Sequence, residues 1–142
     1  MTTSRIATAL SLIGAAFILY IGLSYLLTPD TTAPSFGLPA WPTGDAVAFL
    51  NLKGVRDVVL GVLILVLLAA KQRYALGIVT LVIALVPVGD MLTVLSWHGS
   101  PAAAFGIHGL TAALVFLTGG VLLREHHQAT KATTPQPVAV NA

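Results

Sequence analysis

The sequence predicts an all-α, polytopic membrane protein: a compact bundle of four transmembrane helices with both termini in the cytoplasm. Three observations predict it. Hydrophobic residues fill 56% of the 142 positions and charged residues only 8%, so the chain lacks the charged shell a soluble domain needs. Four apolar runs are long enough to span a bilayer, which takes about 20 residues at about 1.5 Å rise. The Lys and Arg residues outside those runs fall at alternate ends of them. A mean hydropathy of +0.92 agrees with a membrane location, here the cell membrane as a multi-pass protein.

The first run, Ile6–Leu27, follows Arg5 and is too long for the apolar segment of a signal peptide, usually about 7–15 residues. It reads as a retained span. The others are Ala46–Ala70, Tyr74–Trp97 and Pro101–Leu123. Together they make one transmembrane domain over residues 1–127. From Gln128 to Ala142 the chain is rich in Ala, Thr and Pro and reads as a disordered tail. Arg5 precedes the first run, Lys71 and Arg73 fill the second turn, and Arg124 and Lys131 follow the last run. The other two loops hold no Lys or Arg, so the positive-inside rule puts both termini and the Lys71–Arg73 turn in the cytoplasm.

The loop Thr28–Asp45 carries Pro29, Pro34, Pro39 and Pro42, which argue against a regular helix. Its Phe36, Leu38 and Trp41 favour the headgroup boundary. An interfacial anchor is the plainer expectation, and a lid over a site between the helices is the sharper one.

Composition excludes several functions. Seven Lys and Arg against five Asp and Glu, net +2, form no basic stripe for nucleic acid. The absence of cysteine removes disulfides, thiolate catalysis and cysteine-ligated metals. No Gly-x-Ser-x-Gly, His-Glu-x-x-His or Gly-rich nucleotide loop is present. No cofactor is expected: bis-His haem needs two deep histidines, and only His108 is deep. A metal at Asp90, His98 and His108 would need His98 to reach inward from the interface. His126 and His127 belong to the cytoplasmic flank.

Ionisable groups within a span are costly unless paired or solvated, so each one needs a reason. Lys53, Arg56 and Asp57 fall within an arc of about 100° on the second helix, with Gly54 and Gly61 beside it. The third helix adds Asp90 and the fourth adds His108, aligned with Ala104, Ala112 and Gly119. Tyr20 and Ser24 lie one turn apart on the first. Lys53, Asp90 and His108 each sit about 10 Å below the outer end of their helix, and Asp57 about 16 Å. They predict one polar cluster in the outer half of the bundle.

The stretch Pro29…Phe36-Gly37-Leu38-Pro39…Phe49-Leu50…Gly54-Val55-Arg56-Asp57…Gly61 resembles a family of small four-helix membrane proteins, a domain of unknown function. Members are similar in a Gly-(Ile/Val)-Arg-Asp motif opening helix 2, a Gly-Asp in helix 3 and a His in helix 4. Here these are Gly54–Asp57, Gly89-Asp90 and His108, and the resemblance covers Pro29 to Leu123. It implies the fold and the polar positions and no activity.

Three functions remain open. The charges can be interhelical salt bridges, with Asp90 the better partner for Arg56 because Asp57 lies about 100° away on the same helix. They can form a binding site for a small polar or amphipathic, lipid-like molecule, built from Lys53, Arg56, Asp57, Asp90, His108 and Tyr20. Transport by four spans would then need a homodimer, through the Gly54/Gly61 or Ala104/Ala112/Gly119 faces. In an enzyme, Asp90 and His108 are the candidate acid–base pair for a lipophilic substrate.

Overall fold

The computed structural model describes residues 2–133. Helix α1 (Thr2–Leu27) runs unbroken until Thr28, whose backbone leaves helical geometry ahead of Pro29. The loop that follows is less irregular than its prolines suggest. Pro29 and Pro34 stand at the first turns of a short helix, α2 (Pro29–Thr32), and of a 3-10 turn (Ala33–Phe36). There the missing N–H costs nothing, because first-turn N–H groups have no partner within the helix. A second 3-10 turn (Gly44–Val47) leads into α3 (Ala48–Ala69).

The chain then reverses through Lys71, which adopts the left-handed φ of +55° that commonly ends a helix. Helices α4 (Arg73–Ile83) and α5 (Leu85–Ser96) continue one another across Ala84. The interruption has a covalent cause: Pro87 has no N–H to give the Ile83 carbonyl. After a turn at His98, α6 (Pro101–Ala103), a π-helical segment (Ala104–Gly109) and α7 (Leu110–Thr133) complete the chain. Helix α7 thus passes through Gln128, where the composition changes, and residues 134–142 lie outside the described residues.

Among the described residues, three helices are long and apolar enough to cross a membrane: Ser4–Leu27, Arg73–Ser96 and Pro101–Lys131. The sequence leads one to expect four such runs. Helix α3 has the length, at 22 residues, but Lys53, Arg56 and Asp57 all lie within it.

Packing is by pairs. Helix α1 lies along α3, and α4 lies along α7, with α1 also touching α7. Glycine sets the first crossing. A Cβ on Gly54 would stand 2.8 Å from the Gly22 carbonyl oxygen, and one on Gly22 2.7 Å from the Val58 nitrogen. Gly77 and Gly119 do the same for the second pair, where a Cβ on Gly119 would meet Leu81 at 2.7 Å. Gly54 and Gly61, like Ala104, Ala112 and Gly119, are therefore buried within the molecule and are not outward dimer faces.

The two ends of the molecule differ. At the terminal end, Ala7, Ala15, Ile64, Leu76 and Leu122 form the apolar core. There Arg73 reaches the Ser4 hydroxyl at 3.0 Å, the Thr8 hydroxyl at 2.6 Å and Glu125 at 3.4 Å. From the loop end a cavity runs between the helices.

Candidate functional site

On α3, Lys53 and Asp57 are one turn apart, so their side chains meet. The Lys53 Nζ lies 2.6 Å from Asp57 Oδ2. Arg56 reaches back to its chain neighbour, and both Nε and Nη2 stand 3.1 Å from Asp57 Oδ1. The expected preference of Arg56 for Asp90 is corrected here. A side chain as long as arginine's can fold across the 100° that separates adjacent helical positions. The Asp57 side chain is 1% exposed, while Lys53 is 18% and Arg56 45% exposed. A buried carboxylate is thus held between one cation facing inward and one at the rim.

Two rings complete the setting of Lys53. Its ammonium is 4.6 Å from the centre of the Tyr25 ring and 5.5 Å from that of Phe36, within the range where an aromatic face attracts a cation. Phe36 comes from the proline-rich loop. Its ring also packs on His108 at 4.6 Å between centroids, and its carbonyl lies 2.9 Å from His108 Nε2. Since a carbonyl only accepts, Nε2 carries the proton and donates. The π-helical segment that carries His108 is a geometry found often at functional sites.

The loop is fixed by backbone as well. The Ser100 N–H donates to the Gly37 carbonyl at 2.8 Å. Gly37 has φ +96°, and a Cβ there would strike Ala103, so only glycine fits this crossing. Phe36 turns inward while Trp41 stays exposed, so one segment covers the cavity and presents an aromatic ring outward.

The cavity has a volume of about 150 Å³. Lys53, Asp57, Asp90, His108, Tyr25 and Phe36 line its loop end. Asp90 makes no hydrogen bond or ion pair among the described residues. Further along, the walls are apolar and include Phe17, Ile21, Leu60 and Ile83. The far end carries Ser11, Thr80 and Thr118, all buried.

Four of the six binding candidates therefore line one cavity: Lys53, Asp57, Asp90 and His108. Arg56 touches it only through Asp57. Tyr20 is 67% exposed, on the outside of α1. Tyr25, 3% exposed, takes the inward position instead. Tyr25 lies three residues on from Gly22, which the structure packs against α3, and Tyr20 does not share that face. The sequence leads one to expect the loop as an interfacial anchor first and a lid second, and no sequence signal singles out Phe36 as the residue that turns inward, since its contacts are with residues 53 and 108. His98 is exposed at its turn, with φ +55°.

A family model described as a domain of unknown function, DUF4267, matches residues 15–122. The chain belongs to this family. The matched stretch contains every residue named at the loop end of the cavity, from Tyr25 to His108. No curated protein and no solved structure matches the chain.

Proposed function

We propose that this is a four-span protein of the cell membrane, with both termini cytoplasmic, that binds a small amphipathic molecule in the cavity beneath the Phe36 loop. The fourth span is α3. Its outward face carries Leu52, Val55, Val59, Val62 and Val66, all exposed, as suits a helix against lipid. Its charges balance in part within the helix, because Lys53 and Arg56 share Asp57. Lys71 and Arg73 at one end, and no Lys or Arg in the loops at the other, support the orientation.

One observation carries the binding function: an Asp90 carboxylate with no hydrogen bond or ion pair among the described residues faces the same cavity as Lys53 and His108. Pure structural glue is the weaker account. The Lys53–Asp57–Arg56 pairs lie within α3 and tie no two helices together. An unpaired acid in a membrane helix is expensive, and a bound molecule with hydrogen-bond donors would offset that cost.

Native mass spectrometry of the full chain released from membranes tests this. Wild type should carry a co-purifying small molecule that Asp90→Leu loses. A wild-type protein that emerges bare, and whose melting temperature no membrane lipid extract raises, would overturn the proposal.

A further inference from the structure

Resting on that binding function, we infer that the ligand is an uncharged, single-chain amphipath whose hydroxyl-bearing head sits between Lys53 and Asp90 and whose hydrocarbon chain runs past Gly14 towards Thr80 and Thr118. The shape of the cavity comes first. His108 and Thr118 both line it ten residues apart on the last helical stretch, as do Asp90 and Thr80 on another. At about 1.5 Å per residue the cavity is about 15 Å deep. A volume of about 150 Å³ over that depth describes a narrow slot. One chain of roughly dodecyl length suits it, and the two chains of a phospholipid do not.

Gly14 is the second observation. It lies inside α1, lines the cavity, and a Cβ built on it meets nothing within 4 Å. Gly22, Gly54 and Gly77 are pressed against a neighbouring helix, but Gly14 is not. Its missing side chain keeps the middle of the slot open.

Charge selects the head. Lys53 is paired with Asp57 and Arg56 is spent on Asp57 at the rim, so a head group in the cavity meets one cation, Lys53, and one acid, Asp90. Lys53 gives one proton to Asp57 and keeps others to donate, while Asp90 accepts. A hydroxyl can donate to Asp90 and accept from Lys53 together. A carboxylate would meet Asp90 with like charge, and a quaternary ammonium has no proton to give it.

The experiment uses the full chain in lipid nanodiscs and a photoactivatable, alkyne-tagged dodecanol. Labelled peptides are mapped, and unlabelled dodecanol, dodecanoate and dodecyltrimethylammonium are added as competitors. Wild type should label at residues lining the slot, and dodecanol should compete at about tenfold lower concentration than either charged analogue. Gly14→Leu and Gly14→Phe should lose labelling about tenfold or more while melting at or above the wild-type temperature. Equal labelling of folded Gly14→Leu, or equal competition by dodecanoate, overturns the inference. If Asp90→Leu abolishes labelling while the Gly14 variants keep it, binding at the polar end stands and only the buried chain is wrong. If neither position affects labelling, the binding function falls as well.

Discussion

Asp57 is the most demanding residue in the molecule: a carboxylate 1% exposed, with cations 2.6 and 3.1 Å away. Its two partners are unequal. Lys53 is mostly sheltered and Arg56 is half in the open, so screening weakens the arginine's share. Replacing Asp57 with Leu takes from Lys53 its ion-pair partner and should cost about 3–5 kcal/mol, the usual penalty for breaking a buried pair. Arg56→Met should cost no more than about 1 kcal/mol, as an exposed pair does. Thermal unfolding of the two variants in one detergent gives the comparison. Equal losses would mean that Arg56 holds Asp57 as firmly as Lys53 does. At His108 the bond to the Phe36 carbonyl is worth about 1 kcal/mol, so His108→Ala should loosen the loop without unfolding the protein. Faster hydrogen exchange confined to residues 33–38 is the expected result.

Between helices the glycines divide into two kinds, and substitution should separate them. Gly54→Ala puts a methyl group 2.8 Å from the Gly22 carbonyl oxygen, so α1 and α3 must part, and about 1–3 kcal/mol should be lost. Gly14→Ala enters open space in the same helix pair and should gain roughly 0.5–1 kcal/mol from helix propensity. Chemical denaturation of the two variants reads the difference, and a gain for both would argue against the tight crossing. The packed Gly54/Gly61 face was legible in the sequence because helical periodicity set both beside the charged arc. What that face meets was not legible, since a helix of the same chain and a second copy of the protein are equally good partners by pattern alone. The polar cluster was legible for a similar reason: depth along a helix follows from counting residues. Arg56's partner was missed because side-chain reach, not backbone angle, decided it. The inward turn of Phe36 was missed because contacts between residues 36, 53 and 108 leave no periodic trace.

At the scale of the whole molecule, the test is topology. The chain has no cysteine, so each introduced thiol reports alone. Thr32→Cys should react with an impermeant reagent in intact cells, and Thr130→Cys only after permeabilisation. Labelling of both from one side would mean an odd number of crossings and would remove α3 from the membrane. The proposed even count rests on α3, whose outward residues are apolar and exposed and whose charges turn towards one another.

The Arg73 clamp bears on how such a molecule is made. One guanidinium holds Ser4 and Thr8 near the beginning of the chain and Glu125 near its end. In the proposed membrane topology the ribosome delivers Glu125 long after Ser4, so the first helix must wait in the bilayer for its last neighbour. Assembly is therefore completed only after insertion is over. A chain released before α7 should then be an early substrate for membrane quality control, even with its first three apolar segments in place.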